Sequence, residues 1–167
     1  MKKLLLVFVT ILFALPFSAC GAKNAPQNFY SMVQDKTTDD PANDHSGTMM
    51  LGMSRGDSYS AYIRDDLIQR FRYDADNKLV SMTAKTKIMH PVGIDWTMTK
   101  DDIIAFYAKD PEVTYTEGDN NLMTFTKTID GTVYYARYVL YNDGTIFQVN
   151  LTTDPTIDPM EYPRTLS

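Results

Sequence analysis

The sequence predicts an α+β domain, an antiparallel β-sheet of hairpin meanders with one principal α-helix packed on its apolar face. Three observations carry this. Two Asp-Gly pairs interrupt the alternating run "LMTFTKTIDGTVYYARYVLYNDGTIFQVNL", and Asp-Gly between alternating strands is the strongest local hairpin signal. The segment "TKDDIIAFYAKDP" carries both a helix start and a helix stop. A chain of 167 residues with 44% hydrophobic content suits one globular domain, since typical domains hold roughly 100 to 200 residues.

At the N-terminus, Lys2 and Lys3 precede Leu4 to Ala19, sixteen residues without a charge. A membrane-spanning helix needs about 20 apolar residues, so this run reads as a signal peptide over residues 1–19. Phe17-Ser18-Ala19-Cys20 follows and resembles the lipobox of bacterial lipoproteins, although Phe17 stands where leucine is usual. The resemblance implies that the Cys20 thiol is lipidated with palmitate-type chains and becomes residue one. It also implies an envelope location, with the membrane as one partner through the acyl chains on Cys20. Each buried methylene contributes about 0.8 kcal/mol to such an anchor. Cys20 is the only cysteine, so an exported domain has no disulfide framework and rests on its core.

Residues 20–46 read as the lipidated cysteine and a flexible spacer, with "KTTDDPANDHSG" as its least structured part and Phe29 to Val33 as one docked turn of helix. The domain occupies 47–153. "TMMLGM" and "SYSAYI" flank "SRGD" and are expected to form two short strands about a turn, because Gly56, Ser58 and Ser60 are poor helix formers. In "QRFRYDADNKLVSMTAKTK", a turn at Asp76-Asn77 pairs Tyr73 with Val80 and Phe71 with Met82, leaving Arg70, Arg72, Ser81 and Thr83 outside.

The helix follows. Thr99 and Asp102 make a capping box, Met98 is placed to staple onto Ile103, and Asp110-Pro111 ends the segment. Ile103, Phe106 and Tyr107 share the face that packs on the sheet.

Two-residue turns at Asp130-Gly131 and Asp143-Gly144 pair Met123 with Tyr138 and Tyr138 with Val149. They predict one apolar face of Met123, Phe125, Tyr134, Ala136, Tyr138, Leu140, Phe147, Val149 and Leu151. The opposite face is Thr124, Thr126, Val133, Tyr135, Arg137, Val139, Tyr141, Ile146, Gln148 and Asn150. The tail over 154–167 has Pro155, Pro159 and Pro163, a spacing that forbids helix and suggests an extended strap.

Charge excludes one class of partner. The net charge is −5 and becomes more negative when Lys2 and Lys3 leave with the signal peptide, which disfavours nucleic acid. No metal or other cofactor is expected: His45 and His90 lack paired zinc spacing. "DADNK" starts like a calcium loop, but Leu79 and Lys85 stand where that loop needs Gly and Glu. "GMSRG" matches the G-x-S-x-G elbow of serine hydrolases at Ser54, yet the antiparallel setting is wrong for it. Arg55-Gly56-Asp57 is good turn chemistry as well as an adhesion tripeptide.

"GMSRGDSYSAY" and "WTMTKDDIIAFY" overlay at an interval of 45, matching Ser54 with Thr99 and Asp57 with Asp102. With the helix and meander after it, the stretch 94–152 resembles the small outer-membrane lipoproteins of the barrel-assembly machinery and the β-lactamase-inhibitor proteins. That resemblance implies a noncatalytic module that binds other envelope proteins. The expected contact surface is the outward face at Thr124, Thr126, Tyr135, Arg137, Tyr141, Gln148 and Asn150, because tyrosine and arginine are favoured at interaction hot spots. A carrier of an apolar ligand, and less so a Ser54 hydrolase, are the alternatives. The competing expectation is that Phe29 to Val33 or the tail strap covers that face.

Overall fold

The computed structural model describes residues 27–36, 39, 47–60, 69–85, 87 and 89–160. The signal peptide, the lipobox with Cys20, most of the spacer including His45, and residues 161–167 lie outside the described residues.

The expectation of an α+β fold with a principal helix is corrected: the molecule is mostly antiparallel sheet. Among the described residues, nine strands form two sheets. They are β1 (Ser31–Gln34), β2 (Gly47–Met50), β3 (Gln69–Tyr73), β4 (Leu79–Ala84), β5 (Met89–Pro91), β6 (Thr114–Gly118), β7 (Leu122–Ile129), β8 (Thr132–Leu140) and β9 (Ile146–Thr152). Helix α1 (Arg55–Ser60) has six residues and α2 (Lys100–Tyr107) has eight. The larger sheet has the order β3-β4-β9-β8-β7-β6, and the smaller β2-β1-β5.

Dimensions explain the correction. A helix of eight residues is about 12 Å long at 1.5 Å per residue, whereas six strands spaced about 4.8 Å apart span roughly twice that. Helix α2 therefore covers only part of the apolar face, and the smaller sheet covers the rest. Met32, Met49 and Met89 from the small sheet share one core with Met82, Met123, Phe125, Ala136, Tyr138, Val149 and Leu151 of the large one. Phe29, in a 3-10 turn before β1, is fully buried and sets its ring edge-on against Tyr107. Of the residues expected to be a docked turn of helix, Phe29 closes a 3-10 turn, whereas Ser31 to Val33 belong to a strand that lies between β2 and β5.

Helix α2 begins as its sequence dictates. Thr99 accepts from the Asp102 amide while the Asp102 carboxylate accepts from the Thr99 amide, which satisfies two helix-end donors reciprocally. Tyr107 stacks on Phe125 at 4.1 Å and its hydroxyl meets that of Tyr138 at 2.8 Å.

The strand expected over "SYSAYI" is corrected for Ser58 to Ser60, which lie in α1; residues 61–63 lie outside the described residues. Ser54 caps α1, accepting from the Asp57 amide at 3.1 Å, so the capping residue outweighs the weak helix propensity of Gly56 and Ser58. The interval of 45 that relates this cap to Thr99 also relates β3 to β6, the two edges of the large sheet.

The registers around Asp130-Gly131 are those expected, from Ile129 opposite Thr132 to Met123 opposite Tyr138. Both turn residues have positive φ, 49° and 79°, as a type I′ turn requires. The Asp143-Gly144 and Asp76-Asn77 turns differ. Tyr141 donates to Thr145 and Asp74 to Lys78, which closes a three-residue loop in each case. The loops end in Gly144 at φ 84° and Asn77 at φ 57°.

The register then shifts past Val139 in one hairpin and past Arg72 in the other. Each longer loop is offset by one bulged residue, Phe147 or Val80, so the expected pairs Tyr138–Val149 and Phe71–Met82 are restored. The cost is local. Ile146, expected outside, is in the core, while Phe147, expected inside, is half-buried under the Lys85 ammonium, 3.6 Å from its ring centroid.

Candidate functional site

Strand pairing lays the outward side chains of the large sheet in two rows. One runs Arg70, Thr83, Asn150, Arg137, Thr124, Thr116, and the next Arg72, Ser81, Thr152, Tyr135, Thr126, Thr114. Every position in both rows is polar. The alternation that puts Met82, Phe125, Tyr138 and Val149 into the core puts these residues on the other side.

Much of this face is not in water. Arg137 is 7% exposed, and Ser81, Thr83, Gln148, Asn150 and Thr152 are all buried. Residues 153–160, which leave the end of β9, cross it. The Arg137 guanidinium donates to the Ile157 carbonyl at 2.7 Å and to the Pro155 carbonyl at 3.2 Å, and the Gln148 amide donates to the Pro159 carbonyl. Among the described strap residues, Ile157 is the one whose side chain is buried.

Next to it, Asn150 donates through Nδ2 to Ser81 and Thr83, each at 2.9 Å, tying β9 to β4. Its Oδ1 is buried without a hydrogen-bond partner. Between Arg72, Tyr73 and Val80 on the sheet and Asp154, Ile157 and Asp158 on the strap lies a cleft of about 390 Å³.

The electrostatics are those of a cation held by an acidic segment. Burial depresses the Arg137 guanidinium, with Tyr135, Asp154 and Asp158 opposing the shift. The Asp154 carboxyl is held below its ordinary value first by the Thr156 hydroxyl and amide, then by Arg137 and Arg72.

The expected contact residues therefore separate into three groups. Arg137, Gln148 and Asn150 form a buried floor. Thr124, Thr126 and Tyr135 are half-buried beside it. Tyr141 lies past the end of β8, 52% exposed and edge-on to Phe147. It lines a small cleft of about 150 Å³ with Lys100 and Glu117. Arg72, Ser81 and Thr83 complete the face but were legible only as outward residues of a separate hairpin, and Thr152 had no assigned side, since no local signal announces that β4 pairs with β9.

Other candidates are placed elsewhere. The Ser54 hydroxyl is 2.5 Å from an Asp57 carboxylate oxygen within its own cap, and His90, on β5, contacts the Pro91 carbonyl and Asp35. Arg55-Gly56-Asp57 forms the first turn of α1 instead of a loop tip. Asp74 accepts from the Asp76 and Lys78 amides within its turn. Among the described residues there is no cluster of three or more metal-ligating side chains, and no helix long and apolar enough to cross a membrane.

The chain matches no protein-family model, no curated protein and no solved structure.

Proposed function

We propose that this chain is a lipid-anchored bacterial envelope protein whose β domain works by noncovalent recognition of another envelope protein, without catalysis. The single observation that supports the recognition reading is the polar outer face. It runs across all six strands and carries a nearly buried arginine and an unused amide oxygen. Buried polar groups are normally satisfied, so a sheet face built this way is suited to donors and acceptors supplied from outside. The anchor reading is supported by the basic start, the apolar run and the lipobox-like Phe17-Ser18-Ala19-Cys20. The carrier alternative draws less support, because the small sheet and α2 already fill the apolar face.

The test is capture of envelope proteins from detergent extracts by the acylated chain. Thr126→Arg with Tyr135→Ala, cross-strand partners on the half-buried part of the face, should reduce capture at least tenfold without lowering the melting temperature by more than a few degrees. Tyr115→Ala, on the opposite face and 36% exposed, should leave it unchanged. The reverse pattern would place recognition elsewhere. In the same cells Cys20→Ser should abolish incorporation of radiolabelled palmitate, and label that survives the substitution removes the anchor.

A further inference from the structure

We propose that the groove over Arg137, Gln148 and Asn150 is a binding site for an acidic peptide segment bearing Asp-Pro turns on another envelope protein, and that the chain's own residues 154–159 occupy it in cis as a displaceable stand-in. The proposal rests on the reading of the outer face as the recognition surface, and names its ligand and its regulation.

The strap shows what the groove reads. Contacts are made to main-chain carbonyls at alternate positions, 155, 157 and 159, by side-chain donors of Arg137 and Gln148. Such donors recognise the shape of a chain more than its side chains, so a second segment of the same shape would be held equally well. That shape has a sequence cause. Asp154-Pro155 and Asp158-Pro159 repeat at an interval of four. Each aspartate folds back on the residue two ahead: Asp154 Oδ1 accepts from the Thr156 amide at 2.9 Å, and Asp158 Oδ1 from the Met160 amide at 2.8 Å. These side-chain turns present the carbonyl of each proline to the sheet.

Charge selects an acidic segment, because Arg137 and Arg72 both act on Asp154 and Asp158 adds to the field at Arg137. Occupancy by the strap is incomplete. Pro155, Thr156 and Asp158 are exposed, and a cleft of about 390 Å³ remains between Arg72 and the strap. A tethered segment competes at an effective concentration on the order of millimolar, so the strap sets a threshold that a better-fitting segment must exceed.

The probe is a fluorescent peptide of residues 153–160, Thr-Asp-Pro-Thr-Ile-Asp-Pro-Met, titrated into the full chain and followed by anisotropy. Wild type should bind it only weakly. The Asp154→Ala/Asp158→Ala chain, whose strap has lost both turns, should bind it at least tenfold more tightly, and adding Gln148→Ala should reverse that gain. A folded double variant that binds no more tightly than wild type overturns the proposal.

Native-state hydrogen exchange on the wild type decides the matter independently of how the variants fold. The Thr156, Ile157 and Met160 amides should exchange through an opening that leaves β8 and β9 protected. Strap amides that exchange only together with those strands would make it a fixed structural part. A partner captured through Thr126 and Tyr135 but not displaced by the peptide would overturn the groove proposal and leave the recognition-face reading standing.

Discussion

Arg137 and Tyr138 are neighbours in the chain that leave β8 on opposite sides, and both end up buried. Alternation accounts for the first fact and tertiary structure for the second. The fork of Arg137 bonds two strap carbonyls, and hydrogen bonds to charged groups contribute about 1.5 to 3 kcal/mol each. Arg137→Ala should therefore destabilise the domain by about 3 to 6 kcal/mol in denaturant melts. Arg137→Lys should recover only part of that, because an ammonium cannot reproduce the planar fork. The sequence alone marks Arg137 as an outward contact residue, with cover by the strap as the competing expectation. The strap does cover it, and its docking site has no periodicity to read.

Asp154 makes a second test at this scale. Its folded-state carboxyl is depressed from 3.8, so its contribution is complete above the unfolded value and is lost as pH falls through the lower folded value. The Thr156 amide resonance should inflect below pH 3.8, and Asp154→Asn should remove the inflection.

Among the elements, the hairpins divide into those that local chemistry specifies fully and those it specifies by compensation. Asp130-Gly131 has a single solution, and both its turn and its register were legible. In the other two hairpins a three-residue loop and a one-residue bulge cancel, so the registers beyond the bulge were legible although the turns were not. What was misassigned is confined to the residues between loop and bulge, such as Ile146 and Phe147. Asn77 occupies the same place as Gly144, at φ 57°. Asn77→Gly should be neutral to slightly stabilising, whereas Asn77→Val, β-branched in a left-handed conformation, should cost about 1 to 2 kcal/mol. Equal effects of the two substitutions on the melting temperature would contradict the loop geometry. Helix α2 was legible because its capping box is contiguous, and α1 was not, because a single cap at Ser54 had to outweigh three poor helix formers.

For the whole molecule, the fold class was misjudged because sheet-on-sheet packing leaves little local trace. The residues that cover the apolar face with α2 come from short strands at Ser31–Gln34, Gly47–Met50 and Met89–Pro91. Three or four residues are too few to show a period of two. Their methionines, unbranched and adaptable, fill the space between the sheets. The polar face was legible strand by strand, but its continuity depends on the junction of β4 with β9, whose partners, such as Ser81 and Thr152, are far apart in sequence.

That junction governs the order in which the sheet is made. Every other neighbour in the large sheet is a sequential hairpin, whose closure entropy is small, whereas joining β4 to β9 closes a loop that contains α2 and the whole β6–β8 meander. A chain that lengthens from its N-terminus completes the β3–β4 hairpin early. It then holds the uncharged strand "LVSMTA" with an open edge until Ile146–Thr152 arrives. This is the interval in which an edge is open to pairing with other chains, and it ends only when the final strand of the meander slots into place and buries the Asn150 amide nitrogen against Ser81 and Thr83.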